Sequence, residues 1–123
     1  MSAVSEIAVD ELRDRLGEVA IIDVRTEREY DGTGGQPCDP RQGHIPGALN
    51  LDVSRMMQLD AAEIETELLL EPGVEIVAYC HSGARSAIAT QILRSLGYDA
   101  RNYVGSWHEW SRHDDLPLET RAK

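Results

Sequence analysis

At 123 residues, with 41% hydrophobic and 28% charged residues, the chain is long enough to bury a core and ordinary in composition for a soluble globule. A formal net charge of −10 and a pI near 4.7 argue against nucleic acid or an anionic membrane surface as main partners. Two cysteines, Cys38 and Cys80, are too few for a disulfide framework, and no apolar run approaches membrane-spanning length.

The stretch Met1–Glu6 has neither a basic nor an apolar leader pattern, so no secretory signal is expected. A cytoplasmic location is the expectation, and its reducing conditions would keep Cys80 usable. Val9, Leu12 and Leu16 recur at helical spacing and predict a short amphipathic helix that Gly17 ends. Val19 to Val24 is apolar without alternation apart from Asp23, the pattern of a strand buried on both faces. Asp23 and Arg25 at its end read as a structural salt bridge or loop cap. Thr26 can cap the short segment Glu27–Tyr30. Asp31 to Gly43, rich in Gly, Pro and Asp, is a long loop of the kind that is often functional or mobile. Cys38 within it reads as an exposed, unreactive thiol, with a resolving role toward Cys80 under oxidation as the alternative. His44 to Ala48 forms a tight turn into a short strand at Leu49-Asn50-Leu51, with His44 as a structural hydrogen-bonding residue.

Ile64, Leu68 and Leu69 among several acids predict a helix over 61–70, ended by Pro72-Gly73. Val74 to Tyr79 predicts a second buried strand. Ile88, Ala89, Ile92, Leu93 and Leu96 predict a helix over 86–96 with Gly97 as its C′ residue. Tyr98 to Val104 adds a last strand, and Gly105 to Trp110 a final helical turn. Trp107 and Trp110, three apart, point to packing of one helical face. Strands alternating with helices imply an α/β fold: a parallel sheet of about five strands with helices on both faces.

Between the second strand and its following helix lies Tyr79-Cys80-His81-Ser82-Gly83-Ala84-Arg85-Ser86. The first N–H groups of a helix lack partners and carry the positive end of its dipole. A loop curled over that end is an anion site. Cys80 places its sulfur there, and Arg85 adds a full charge. Such settings lower a thiol from about 8.5 toward ~3.5–7.5 without a neighbouring base. A Cys–His pair between adjacent Cys80 and His81 is not expected, because neighbours on a tight loop rarely face each other. The spacing Cys80-x4-Arg85 is one residue shorter than the Cys-x5-Arg loop that wraps phosphoryl groups, and leaves room for one extra sulfur atom. No paired Cys/His spacing suits zinc, so no metal site is expected.

This loop, Asp23-x-Arg25 and Gly43-His44-Ile45-Pro46-Gly47-Ala48 together resemble the rhodanese family of sulfurtransferases. The likeness runs from about Ile7 to Thr120. The long loop and the ending Gly105-Ser106-Trp107-His108-Glu109-Trp110…Leu116-Pro117-Leu118 look most like the C-terminal, catalytic half of two-domain thiosulfate or mercaptopyruvate sulfurtransferases. In those enzymes an arginine often precedes the tyrosine matching Tyr30; here that position is Glu29, with Arg28 one residue earlier. His81 replaces their common second loop residue. The resemblance implies a single rhodanese domain over 1–123, with a core of about 7–120. It implies Cys80 as a nucleophile that becomes a persulfide, with the loop N–H groups of His81, Ser82, Gly83, Ala84, Arg85 and Ser86 holding the transferred sulfur. Arg85 would stabilise the loop, the donor, or both. The expected partners are a small anionic sulfur donor and a thiol or cyanide acceptor, with no cofactor, and the chain working alone or as an oligomer. A non-enzymatic persulfide carrier, or a small-anion phosphatase or reductase using the same loop, are the alternatives.

Overall fold

The computed structural model describes residues 6–120, so the leader reading of residues 1–5 lies outside the described residues. In chain order the elements are α1 (Val9–Asp14), β1 (Ala20–Asp23), α2 (Glu27–Asp31), β2 (Leu49–Asn50), α3 (Val53–Met56), α4 (Ala61–Leu68), β3 (Glu75–Tyr79), α5 (Ala84–Ser95), β4 (Asp99–Asn102) and α6 (Ser106–Trp110). The four strands among the described residues form one parallel sheet in the order β2-β1-β3-β4. The expectation was about five. Beyond these strands, an isolated parallel bridge joins Glu6 to Asn102 at the β4 edge.

Side chains alternate across a strand, and both faces here are apolar. Ile76, Ala78 and Cys80 join Ile22, Val24 and Ala100 on one face, where α3, α4 and α5 cover them with Met56, Ile64, Leu68, Ala89 and Leu93. Ile21, Val77 and Tyr79 join the other face, covered by Leu12 of α1 and by Trp107 and Trp110 of α6. Both tryptophans are fully buried, as the spacing predicts for a packing face. Their indole N–H groups donate to the carbonyls of Arg41 (2.9 Å) and Pro117 (2.7 Å). No helix among the described residues is long and apolar enough to cross a membrane.

Local signals set most boundaries. Thr26 and Glu29 form a capping box on α2, and Asp60 and Glu63 form one on α4. At the end of α5, Gly97 N–H bonds Arg94 O and Tyr98 N–H bonds Leu93 O, both at 3.0 Å, with Gly97 at φ 97°. That is the Schellman closure expected of a C′ glycine. Helix α4 departs from its reading. It stops at Leu68, before Pro72-Gly73, because Leu69 turns left-handed at φ 50°. Leu69 is 81% exposed and takes no part in the core. The short α3, capped by Asp52, has no counterpart in the sequence reading.

Candidate active site

Strand β3 delivers Cys80 to the mouth of α5, and the loop between them closes around its sulfur. Gly83 N–H donates to Cys80 Sγ at 3.1 Å and Ser86 N–H at 3.4 Å. The Ser86 hydroxyl lies 3.3 Å away. The Cys80 side chain therefore points at the amides of the helix end, as the loop reading requires. Cys80 is only 1% exposed. Burial works against a charged sulfur, but the Ser86 hydroxyl and the N–H groups of Ser86, Gly83 and Ser82 outweigh it. The thiol pKa is held below its ordinary value.

Gly83 makes this curl possible. Its φ of 98° is the left-handed region, and a Cβ there would meet Val104 O at 2.8 Å. Asn102 Nδ2 also donates to Gly83 O at 3.2 Å. From the other side, the first residues of α6 brace the loop. Trp107 N–H donates to Cys80 O and His108 N–H to His81 O, both at 2.9 Å. Cys80 N–H donates to Ser106 Oγ at 3.0 Å, and that hydroxyl donates to Tyr103 O at 2.8 Å. Ser106 holds φ 56°, unusual for a residue with a side chain, at the point where this contact is made.

Asp23 and Arg25 form the structural pair that the sequence suggests. Arg25 Nη2 lies 2.7 Å from Asp23 Oδ2, with side chains 1% and 0% exposed. Arg25 also donates to Gly43 O at 2.6 Å, and Tyr79 Oη donates to Asp23 Oδ2 at 2.7 Å. Burial, then the Asp23 charge, push the Tyr79 phenol far above its usual value, so it remains a donor. His44 is structural too: it stacks on Tyr30 at 3.7 Å and pairs backbone with Glu119.

Arg85 is turned onto Glu29. Its two terminal nitrogens meet the two Glu29 oxygens at 3.0 and 3.2 Å. Burial opposes charge on Glu29, but the Arg85 guanidinium and the Thr26 N–H hold its carboxyl below the usual range. The side chains of Ser82 and Ala84 are exposed, and His81 is half-buried against Asp39.

Compared with known proteins, residues 8–113 match the rhodanese-like domain model. The chain belongs to the rhodanese family. This rhodanese-like domain is 39% identical over 121 residues to a thiosulfate sulfurtransferase of Azotobacter vinelandii, covering 89% of this chain and 44% of that protein. It thus spans less than half the length of such relatives. It is 36% identical over 120 residues to a human thiosulfate:glutathione sulfurtransferase, covering 89% of this chain and 96% of the relative. The crystal structure of a probable thiosulfate sulfurtransferase superposes with a TM-score of 0.80 at 43% identity, over 94% of this chain and 47% of that one. An EanB variant in complex with ergothioneine covalently linked with a persulfide cysteine superposes with a TM-score of 0.83 at 27% identity, over 95% of this chain and 28% of that one.

The rhodanese-like domain makes three contacts at the site that the sequence reading did not give. Ser106 anchors the Cys80 amide, Glu29 occupies Arg85, and Asp39 reaches His81. Cys38, Asp39, His81 and His108 also come together, although the sequence separates all but the first two. The long loop is fastened where they meet: Arg41 donates to the carbonyls of Trp110, Ser111, His113 and Leu116.

Ser86 supplies both an N–H and a hydroxyl to the sulfur, which makes it the most informative cradle residue. In Ser86→Ala the hydroxyl is lost and the thiolate is less favoured. The alkylation rate of Cys80 below its midpoint pH should fall on the order of tenfold, the worth of ~1.4 kcal/mol of hydrogen bonding to a charged sulfur. Its rise with pH should move to higher pH. An unmoved profile would mean that the backbone N–H groups alone set the thiol.

Proposed function

We propose that this chain moves sulfane sulfur from thiosulfate, or a similar small anionic donor, to a thiol or cyanide through a persulfide on Cys80. The observation that carries the proposal is the Cys80 sulfur held by Gly83 and Ser86 at 3.1–3.4 Å within a Cys-x4-Arg loop. The Cys80 thiolate attacks the outer sulfur of thiosulfate. The bond to the inner sulfur breaks, and its electron pair leaves with sulfite. The new terminal sulfur carries the negative charge into the ring of N–H groups running from His81 through Ser86. A thiolate or cyanide then attacks that terminal sulfur, which leaves as a persulfide or thiocyanate and restores the Cys80 thiolate. Two half-reactions on one nucleophile give ping-pong kinetics.

The near-full-length likeness to the human thiosulfate:glutathione sulfurtransferase supports a low-molecular-weight thiol as acceptor and the reading of residues 1–123 as one rhodanese domain. Arg85 in this proposal holds the loop shape through Glu29, and the N–H groups supply most of the pull on the donor. With a net charge of −10 the global field opposes an anion, so this local attraction is required. A cytoplasmic setting fits a thiol that must stay reduced.

Mass spectrometry of wild-type protein after thiosulfate treatment should show a gain of one sulfur, mapped to Cys80 and discharged by glutathione or cyanide. Initial rates at varied donor and acceptor should give parallel double-reciprocal lines. The proposal is lost if neither thiosulfate, 3-mercaptopyruvate nor an organic persulfide loads Cys80. Faster release of phosphate from an aryl phosphate would instead make the loop a phosphatase. Rapid loading from a partner protein, with negligible turnover of small donors, would make it a carrier.

A further inference from the structure

We propose that Cys38, Asp39, His81 and His108 form a zinc-binding site at the rim of the active loop. The donor atoms of these four residues all lie within 4.8 Å of one another. They come from three segments: the 31–43 loop, the active loop and α6. A sulfur, two imidazole nitrogens and a carboxylate oxygen are the donor set of a four-coordinate zinc ion. With zinc–ligand bonds of ~2.0–2.3 Å, tetrahedral donors stand roughly 3.3–3.7 Å apart, so modest side-chain rotations close the cluster around an ion.

Asp39 supplies the second, independent observation. Its side chain is 1% exposed. Oδ2 is buried and accepts no hydrogen bond, although it stands 3.0 Å from His81 Nε2. A buried carboxylate oxygen without a donor is costly, and a cation is the natural partner. The other oxygen is engaged: Oδ1 receives Arg112 Nη1 at 3.0 Å and lies 3.2 Å from His81 Nε2. Arg112 also donates to Cys38 O at 2.8 Å. The two Arg112 contacts orient the Asp39 carboxylate and fix the backbone that carries the thiol, as second-layer partners do at metal sites. His108 Nδ1 stands 3.9 Å from Oδ1, and the His81 and His108 rings meet edge to face at 5.5 Å. Cys38 and His108 are exposed, which gives an ion a path in, while Asp39 forms the floor.

The charges balance acceptably. Zinc brings two positive charges; Cys38 binds as thiolate, releasing its proton to solvent, and Asp39 adds a second negative charge. Both histidines bind neutral, and Arg112 leaves the cluster with one net positive charge. Zinc would thereby tie the long loop and α6 to His81, the residue beside Cys80. The sulfur-transfer reading is not needed for this site, and the test does not depend on it.

The test uses the full chain with cobalt(II) as a spectroscopic probe and zinc in competition with a chromophoric chelator. Wild type should bind one cobalt with the intense visible bands of a tetrahedral ion and a sulfur-to-metal charge-transfer band. Zinc should displace the cobalt and bind with a Kd of ~1 μM or tighter. Cys38→Ser should lose the charge-transfer band, and Cys38→Ser and His108→Ala should each weaken zinc binding at least about tenfold. Cys80→Ser should keep both band and affinity. Both Cys38 and His108 are exposed, so neither change threatens the fold. The site is overturned if wild type binds zinc no better than the Cys38→Ser/His108→Ala double variant, or if the sulfur band disappears with Cys80 rather than with Cys38.

Discussion

Cys80→Ser should lower sulfur transfer from thiosulfate by about 10⁴-fold or more, while leaving the protein folded. The change is nearly isosteric, and the donors around position 80 remain. Gly83 and Ser86 keep their N–H groups, and Ser106 still accepts from the residue 80 amide. What goes is the atom that ionises. A serine hydroxyl in the same ring stays protonated near neutral pH, and oxygen cannot form the sulfur–sulfur bond on which the cycle turns. The loss should therefore fall on the first half-reaction, with no one-sulfur mass gain and an unchanged circular dichroism spectrum. Cys38 is the other cysteine of the chain. Transfer above roughly 1% of wild type would place the nucleophile there or outside the protein, and would end the assignment to Cys80.

Cys80 stands out in the amino-acid sequence because its chemistry is local. The strand, the thiol, the glycine that permits the curl, the arginine and the helix lie within one continuous stretch. Helix-end physics acts over a single turn. The two buried strands are legible for a similar reason: Ile21-Ile22 and Ile76-Val77-Ala78 lack alternation because both sheet faces are covered. What escapes a sequence reading depends on distance along the chain. Glu29 meets Arg85 across 56 residues, Ser106 reaches the Cys80 amide across 26, and His81 finds Asp39 across 42. Nothing in the spacing of Cys38, His81 and His108 announces a cluster; the parallel crossovers bring them together. Leu69 shows the converse failure. Its residue type fits the apolar stripe of α4, but the chain turns left-handed there, and the exposed side chain follows the turn. Glu29 illustrates a further limit. Its capping-box partnership with Thr26 follows from local pattern, whereas its grip on Arg85 does not.

Arg25→Met should be the most destabilising single change at the foot of the site, by about 3–5 kcal/mol. Arg25 and Asp23 are 1% and 0% exposed, so water does not screen them. Methionine fills much of the guanidinium's space between the Tyr79 and Trp107 rings, which lie 5.6 and 5.1 Å from Arg25 Cζ. It leaves the Asp23 carboxylate buried without its counter-charge, and Gly43 O without a donor. Against a total stability of ~5–15 kcal/mol, the thermal midpoint should drop by roughly 10–25 °C. Function should follow stability through a short route. Asp23 accepts from Tyr79, the residue before the nucleophile, and Trp107 N–H holds the Cys80 carbonyl. A double-mutant cycle distinguishes stranded charge from lost packing. In Asp23→Asn/Arg25→Met the buried charge is gone from both sides, and the double variant should be more stable than Arg25→Met alone. A double variant less stable than Arg25→Met would show instead that the pair's packing and hydrogen bonds, rather than an uncompensated carboxylate, set the cost.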